Sequence, residues 1–550
     1  MKKYLKITSI LLTIVLGFAG CKKEYLDINT NANSATSSTP QLVLPALLNN
    51  MSSNYMSYFN FGGRMAGYMA NGGGFSFVGS TVITYNFDSG SNTTLFTNAY
   101  GDLRNIQYII KTTTGVPQYS LFNGVARILK SYYYQLLVDE YGDVPYSQAL
   151  MGADNVTPTY DPQAVVYQSL VTEIDAAIAT LKANSSSTTV TKLSTNGADI
   201  IFGGNVTKWI QFANNIKLRI LTRAQNSTAL SAFVSTAFNT FSTEGFLLED
   251  VLIQPGYVST SARQNPLWES YHSTYTGTTT GNSYIPSTWI YSFYNGAKLS
   301  DASRGALMYR LFAAGTTPRG HLGGPNNPNS GSPNWYVGTG TGTGATEAQG
   351  VLKSRVMGLC IFPASETYFL LAEAALNGRT LSGSAKDNFE NGIKASYNYL
   401  AKSGTSTASQ TTTVLNNYLA SYKTANATAS GVTSSQSYLV DWDQTATVLP
   451  DDYNKSVNTR RLEAIITQKY IALNFIDGYE AWQEYKRTGY PRVTGTAATT
   501  TFASTESVAP TADRLPVRNL YPTSEYNLNP NVPPISGTNI WTGKIFWDNN

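Results

Sequence analysis

At residues 460–493 the chain reads RRLEAIITQKYIALNFIDGYEAWQEYKRTGYPRV, and this stretch decides the fold. Its first half predicts an amphipathic helix, because apolar residues recur at three- and four-residue spacing and form one stripe. The stripe consists of Leu462, Ile465, Ile466, Leu473 and Ile476. Gly478 is predicted to end this helix, since glycine readily takes the left-handed conformation that closes one. Tyr479, Trp482 and Tyr485 then begin a second, shorter helix. The pattern alone predicts two docking helices that close a helical core.

Elsewhere in the chain, the same apolar periodicity predicts helices at 41–59, 121–136, 166–181 and 209–220, and a helix pair over 362–400. Asp161 is predicted to cap the third of these helices, with Pro162 at its first position. In the pair, Gly378 is predicted to end the first helix and Ser384 to cap the second. Trp209 and Trp482 lie on helical stripes and are predicted core residues. The sequence therefore predicts a mainly α protein.

Residues 227–360 have a different character from the helical segments. Glycine, threonine, serine, asparagine and proline dominate there, and aromatic residues are scattered among them without a fixed period. A stretch this long without clear periodicity is uncommon in a compact domain unless it is functional. Indole and phenol rings can stack on the C–H faces of sugars while asparagine, serine and threonine satisfy polar groups. The segment is therefore a candidate ligand face, with satellite packing of its aromatic residues as the alternative.

The charge balance excludes an electrostatic footprint for nucleic acid. The chain has 38 basic and 34 acidic residues, and loss of Lys2, Lys3 and Lys6 with a signal peptide would leave 35 against 34. Only 13% of the residues are charged, so we expect a neutral, polar and aromatic surface. Such a surface suits uncharged polar ligands.

Two cysteines occur, and their contexts differ. Cys360 lies in the apolar run VMGLCIFP and is predicted to be a small buried hydrophobic residue. Cys21 follows a basic start, an apolar segment from residue 7 to 18, and the small residues Ala19 and Gly20. This order resembles a bacterial lipobox, in which the cysteine is acylated and becomes the mature N-terminus. An ordinary signal peptide with an incidental cysteine is the alternative. Residues 22–40 are polar and predict an extended tether.

Catalytic and metal-binding signatures are sparse. The two histidines, His272 and His321, have no nucleophile signature around them, and no CxxC, HExxH or EF-hand spacing occurs. Paired acids at 441–443 and 451–452 have the oxygen ligands that a cation would use, but solvated loop acids explain them better. A glycosidase would need two carboxyl groups on either side of a sugar. Four further acids lie on or beside predicted helices and are predicted to be helix caps or solvated faces instead. They are Asp139, Glu140, Glu366 and Glu373.

Several segments resemble one family. The matching segments are EYLDINTNAN at 24–33, ARILKSYYYQLLVDEYGDVPYSQAL at 126–150, KWIQFANNIKLRILTRA at 208–224, FPASETYFLLAEAALNG at 362–378, QKYIALNFIDGYEAWQEYKRTGYP at 468–491 and RLPVRNLYPTSEYNLNP at 514–530. Together they resemble the SusD/RagB family, in its SusD-like, starch-binding-associated branch. The resemblance implies an α-helical, solenoid-like body with four TPR-like helix pairs and an irregular face made of insertions.

The same resemblance implies a non-enzymatic, lipid-anchored protein of the outer membrane that faces the cell surface. It would bind a nutrient, as glycan or oligosaccharide, and deliver it to a SusC-like TonB-dependent transporter, with no cofactor, metal or nucleic acid. An oligopeptide ligand, a surface glycan hydrolase and a helical scaffold without a ligand remain alternatives. The expected organisation is a signal peptide at 1–20, a lipidated tether at 21–40 and one domain at 41–550 with the insertion at 227–360.

The predicted site residues come from composition, because none of the family's binding aromatic residues can be aligned here. Cys21 is the predicted lipidation site. The predicted ligand contacts are Tyr68, Phe75, Trp268, Tyr271, Tyr284, Trp289, Trp335 and Tyr336.

Overall fold

The structure is a computed structural model, and it describes residues 38–72, 80–281, 283–324, 335–336, 349–402, 409–427, 434–446, 455–535 and 539–550. The helices within these ranges, in chain order, are α1 Pro40–Met65, α2 Ser80–Thr84, α3 Thr93–Thr113, α4 Ser120–Tyr141, α5 Gln163–Asn184, α6 Val206–Ala224, α7 Ser231–Ala237, α8 Pro266–Tyr271, α9 Thr288–Tyr291, α10 Ala302–Met308, α11 Ala364–Leu376, α12 Ala385–Ala401, α13 Thr412–Ala425, α14 Val457–Ala472, α15 Gly478–Thr488 and α16 Thr523–Leu528. The strands are β1 Met69–Asn71, β2 Val251–Ile253, β3 Tyr284–Pro286 and β4 Leu359–Phe362.

The long helices pack in series and form the helical body. Helix α3 packs on α4, α4 on α5 and α5 on α6, and α6 then contacts α11, which packs against α12 and α14. Helix α1 closes the series by packing against both α3 and α15. The helix pairs α3/α4, α5/α6, α11/α12 and α14/α15 make up this body, and the prediction of a mainly α fold is confirmed. Trp209 and Trp482 are buried in it, as predicted.

Gly478 begins a helix instead of ending one, so that prediction was wrong. Helix α14 ends at Ala472, and Asp477 caps α15 by accepting a hydrogen bond from the Glu480 N–H at 3.0 Å. The glycine is required by packing. A Cβ on Gly478 would lie 2.6 Å from the backbone nitrogen of Gly63, and one on Gly62 would lie 2.1 Å from that of Tyr479. The backbones of α1 and α15 therefore meet at a contact that only glycine allows.

Two caps test the predicted helix boundaries. Ser384 caps α12 by accepting from the Asp387 N–H at 3.0 Å, as predicted. Asp161 does not cap α5, because its carboxylate accepts instead from the backbone N–H groups of Tyr146 and Ser147. The N–H of Gln163 at the start of α5 donates to Asp143 at 2.9 Å. The helix begins at Gln163 with Pro162 as the residue before it, so the predictions that Asp161 caps α5 and that Pro162 is its first residue were both wrong.

The segment 227–360 contains only short elements where it is described. Strand β3 pairs antiparallel with β1, and the register places Tyr284 opposite Asn71. Strand β2 pairs antiparallel with β4, which carries the buried Cys360. Because β1 follows α1 and β4 precedes α11, both pairings fasten this segment to the helical body. We refer to residues 227–360 as the insert.

Candidate functional site

The inner side of the insert is made of aromatic rings packed on the helical body. The Asn265 side chain caps α8 by accepting from the N–H groups of Leu267 and Trp268, and this directs Trp268 and Tyr271 inward. The Tyr271 hydroxyl hydrogen-bonds Asn60 of α1, and its ring lies 5.3 Å from that of Tyr284. Helix α8 thus anchors the insert.

Most of the predicted ligand contacts lie in this packed layer. Tyr68, Trp268, Tyr271, Trp289, Trp335 and Tyr336 are all buried. Tyr336 stacks on Phe475 with 3.9 Å between ring centroids, and the Tyr68 hydroxyl donates to the Tyr470 carbonyl at 2.5 Å. Protein therefore covers these rings, and a sugar would stack on them only after a local rearrangement. Their role as ligand contacts stays a prediction.

Tyr284 is the predicted contact whose ring is only half-buried. It lies beside a hairpin at residues 272–280, which is closed by a bridge between Ser273 and Thr279. Tyr275 lies in the turn of this hairpin and is 45% exposed, and it was not among the predicted ligand contacts. We define the insert face as Tyr275, Tyr284 and the hydroxyl-bearing residues of the hairpin between them.

His272 links the insert face to the buried layer. Its imidazole stacks on the Trp268 indole with 3.7 Å between ring centroids. Burial, with the nearby charges of Arg355 and Arg310, lowers the pKa of His272 to about 4. The ring is therefore neutral at physiological pH, and it acts as a stacking and hydrogen-bonding group in place of a base.

Trp289 has an amine neighbour. Nζ of Lys298 lies 2.9 Å from the centre of the Trp289 indole and 4.8 Å from that of Phe293. Burial lowers the pKa of Lys298 to about 6, so the amine is largely uncharged at neutral pH. It packs on the two rings after α9 as a neutral group.

The four acids predicted to be caps or solvated faces are buried, and that prediction was wrong. Asp139, Glu140, Glu366 and Glu373 lie in a buried ionic network that joins α4, α6, α11, α14 and α15. Its cations are Arg219, Arg223, Lys469, Lys486 and Arg487, and its further acids are Glu480 and Glu484. Sequence reasoning missed this network, although its members recur four or seven residues apart within apolar helices, as Arg219 and Arg223 do.

The geometry of the network is tight at its centre. Arg223 hydrogen-bonds Asp139, and its Nη2 lies 2.7 Å from Glu480 Oε1. Arg487 makes two parallel bonds of 2.7 Å to the Glu373 carboxylate, and Glu484 lies 2.5 Å from Arg487 Nη2. Bidentate pairs of this kind are strong and directional. The network fixes the packing of five helices and is not open to a ligand.

The electrostatics of the network divide its acids into two kinds. Burial raises the pKa of Glu366 to about 8, with the charge of Glu480 acting in the same direction. Burial also acts to raise the pKa of Glu484, but Arg487, Lys469 and Arg223 outweigh it and hold that pKa well below its usual range. Glu366 Oε1 accepts from Arg219 Nη1 at 3.4 Å, whereas Oε2 has no hydrogen-bond partner, and a buried carboxylate oxygen without a donor disfavours the ionised form. Glu366 is therefore the neutral acid and Glu484 the charged one.

The paired loop acids have protein partners. Asp441 lies 3.3 Å from the Lys423 ammonium and Asp443 lies 2.6 Å from that of Lys386. Among the residues that the structure describes, no group of three or more His, Cys, Asp or Glu side chains is placed to hold a metal ion. Asp451 and Asp452 lie outside the described residues, as do Phe75, Cys21, the predicted signal peptide and most of the tether.

Comparison with known families gives two matches along the chain. A SusD-like family described as "Starch-binding associating with outer membrane" matches residues 30–254. A second, described as "Susd and RagB outer membrane lipoprotein", matches residues 339–548. No curated protein sequence matches the chain.

Solved structures share the fold over nearly the whole chain. A SusD homolog from Bacteroides uniformis is 21% identical with a TM-score of 0.64, and the match covers 92% of this chain and 99% of that one. A chitin-binding SusD homolog from Flavobacterium johnsoniae is 22% identical with a TM-score of 0.64, with coverages of 93% and 99%. A SusD-like protein from Bacteroides thetaiotaomicron is 20% identical with a TM-score of 0.65 and the same coverages. At these identities the structures show a common fold.

Proposed function

Because this chain belongs to the SusD/RagB family of outer-membrane lipoproteins, we propose that it binds a nutrient glycan at the cell surface and delivers it to a SusC-like TonB-dependent transporter. The glycan is the ligand class that the insert face fits best. Lipid attachment at Cys21 would hold the protein at the outer membrane, since several acyl chains together give stable anchoring.

The insert face is the observation that carries the proposal. Residues 270–284 read SYHSTYTGTTTGNSY and contain no Asp, Glu, Lys or Arg. Tyr275 is exposed and Tyr284 half-buried, and the hairpin between them carries threonine and serine hydroxyl groups. Rings of this kind can stack on sugar C–H faces while threonine and serine hydroxyls bond to sugar hydroxyls. An uncharged glycan matches that chemistry.

One protein of similar fold also supports a glycan as the ligand class. The Flavobacterium johnsoniae protein is a chitin-binding SusD homolog, and chitin is an uncharged glycan. The buried acids of the helical body also favour a binding protein over a glycoside hydrolase. Asp139 and Glu373 are buried and engaged by Arg223 and Arg487, which leaves them unable to flank a sugar.

The test is a ligand screen by calorimetry with protein that begins at residue 22. Neutral polysaccharides and oligopeptides are compared, and a Tyr275→Ala, Tyr284→Ala double variant is measured beside Tyr368→Ala, a half-buried tyrosine on α11. We expect polysaccharide affinity to fall about tenfold in the double variant and to stay unchanged in the control.

Three outcomes would overturn parts of the proposal. Equal binding by the double variant would remove the site from the insert face. Binding of oligopeptides alone would change the ligand class. Release of sugar products at high protein concentration would make the protein an enzyme. The transporter role is tested separately, by asking whether a TonB-dependent transporter of the same cells copurifies with the protein.

A further inference from the structure

A small pocket lies where α15 meets the C-terminal tail. Its volume is about 290 Å³, and it shares no lining residue with the insert. The lining residues that matter here are Trp482, Lys486, Asp513, Trp541, Lys544 and Asp548. This volume is at the lower end of the range of ligand pockets, so it fits one small ring instead of an extended chain.

Two buried polar atoms of the lining have no hydrogen-bond partner. One is Nε1 of Trp482, which can only donate, and the other is Oδ2 of Asp548, which accepts when ionised. The side chains of both residues are at least nine-tenths buried. A buried polar group without a partner is unfavourable by about 1–3 kcal/mol, and it is therefore an unusual feature of a folded protein.

The charges around the pocket balance. Lys486 is held in place because its ammonium donates to the carbonyls of Asp139 and Val517 at 2.9 and 3.1 Å. Lys544 is 44% exposed, with its ammonium 3.8 Å from Asp548 Oδ1. Asp513 accepts from the Leu515 N–H at 3.2 Å. Two lysines thus oppose two aspartates, and this balance favours an uncharged ligand over an anion or a cation.

The pocket also has aromatic walls. The half-buried Trp541 lines it, and the rings of Trp482 and Tyr485 lie nearly parallel with 6.0 Å between their centroids. Indole rings stack favourably on the C–H faces of a sugar ring. Burial raises the pKa of Asp548 to about 6 despite Lys486 and Lys544. Its Oδ1 accepts from the Asn550 N–H at 3.1 Å, so Oδ2 is the oxygen without a partner.

We propose that this pocket binds a single uncharged polyhydroxyl ring, of the size of one monosaccharide, independently of the insert face. A hydroxyl group is both donor and acceptor, so one sugar can accept from Trp482 Nε1 and donate to Asp548 Oδ2. Both atoms are covered in this structure, so the ring enters only when part of the lining moves. Lys544, whose ammonium donates to the Asn550 carbonyl, is the exposed side chain among the lining residues named above. The proposal goes beyond capture of a glycan at the insert and does not depend on it.

The experiment uses the full chain in a detergent without a sugar headgroup. Glucose, galactose, mannose and N-acetylglucosamine are titrated, and binding is followed by saturation-transfer NMR. The variants are Trp541→Ala and Asp548→Leu, with Tyr284→Ala as the control on the insert face. We expect affinity for at least one sugar to fall about tenfold in both pocket variants and to stay unchanged in the control. Equal melting temperatures of Trp541→Ala and the unaltered protein would show that this variant is folded.

Absence of binding by every sugar would overturn the proposal, since the pocket would then contain water only. Loss of binding in Tyr284→Ala with normal binding in Trp541→Ala would overturn it as well, because the sugar would then occupy the insert face. Failure of the glycan proposal is distinguishable: polysaccharide would not bind, while the pocket would still take up a monosaccharide.

Discussion

Beneath the helix pair α14/α15, buried acidic and basic side chains form ion pairs with one another. In the insert, by contrast, the buried contacts are between aromatic rings. In the body, Arg223 and Arg487 each bind two or more carboxylates across several helices. In the insert, Tyr336 stacks on Phe475 and His272 on Trp268, and the elements are only a few residues long.

The two kinds of contact suit different roles, a rigid helical body and an insert that presents side chains at the surface. Charge pairs in a low-dielectric interior are directional, and removal of one partner leaves a buried charge without compensation. They therefore suit a body whose helices keep one arrangement. Ring stacking is less directional, so the insert can place Tyr275 and Tyr284 at the surface while its other rings hold it on the body.

Arg223→Ala should be the most disruptive substitution within the ionic network. It removes the cation that binds Asp139, Glu480 and Glu484 and leaves these buried acids undercompensated, so we expect a loss of about 3–5 kcal/mol in the free energy of unfolding. Urea denaturation measures the loss. In the control, Lys386→Ala, an exposed pair with Asp443 is broken and no measurable change is expected. A loss below about 1 kcal/mol for Arg223→Ala would mean that the network does not hold the body together.

Two isosteric variants distinguish the charged acid of the network from the neutral one. Glu484→Gln removes a charge that Arg487 and Lys469 bind, and it should destabilise the protein at pH 7 by about 1.5–3 kcal/mol. Glu366→Gln mimics a carboxyl group that is already protonated and should change stability at pH 7 by less than about 0.5 kcal/mol. Equal losses for the two variants would contradict the assignment of charge within the network.

The pH dependence of stability should follow from the same assignment. Glu366 loses its proton near pH 4.5 in the unfolded state but only near pH 8 in the folded state. Between these two pH values the folded state binds the extra proton, so this group makes the free energy of unfolding fall as pH rises. The contribution of Glu484 has the opposite sign: it is present above its ordinary pKa and is lost as pH falls below that value. Denaturation at pH 5 and pH 8 should show a smaller difference in Glu366→Gln than in the unaltered protein. An unchanged difference would show that Glu366 is ionised in the fold.

The glycine contact between α1 and α15 should come next in size. In Gly478→Ala the new methyl group would meet backbone atoms of Gly62 and Gly63, which cannot rotate away, so we expect a loss of about 1–3 kcal/mol. Gly101 in α3 is the matched control, because a Cβ there meets nothing within 4 Å. Gly101→Ala should raise stability by about 0.4–1 kcal/mol. Similar losses of stability in Gly478→Ala and Gly101→Ala would show that the close approach of α1 and α15 is not the reason for glycine at position 478.

The insert face should give the smallest effect on stability. Tyr275 is exposed, so Tyr275→Ala should change the free energy of unfolding by less than about 0.5 kcal/mol. Trp289→Ala empties a buried site and should be much more harmful, because large aromatic residues in a core are worth about 3–5 kcal/mol. Thermal denaturation of the two variants checks the contrast. Equal stability would show that Trp289 contributes little to the packed layer.

Much of the helical body could be predicted from the sequence. Apolar periodicity located its long helices, and Ser384 marked the start of α12 correctly. Gly478 was misread because periodicity describes one helix at a time, whereas the requirement for glycine comes from α1, more than 400 residues away in the chain. Asp161 was misassigned for a similar reason, since two acids are near the start of α5 and only the fold selects Asp143.

The candidate site was harder to predict than the body. An aromatic residue in a loop without a period can face water or the core, and composition does not distinguish the two. Trp268 and Trp289 proved to be buried, while Tyr275 proved to be exposed. The sequence predicts caps or solvated positions for the buried acids Asp139 and Glu366, because charged side chains usually lie at the surface. Their partners, Arg223 and Arg219, lie on another helix, so only the fold shows the pairing.

Hydrogen exchange with and without a bound polysaccharide tests the division between body and insert most directly. We expect the ligand to slow amide exchange at residues 265–291 and to leave exchange in α14 and α15 unchanged, because the network beneath them is already ordered. Slower exchange in α14 and α15 with no change at residues 265–291 would contradict it, and would place the ligand on the helical body.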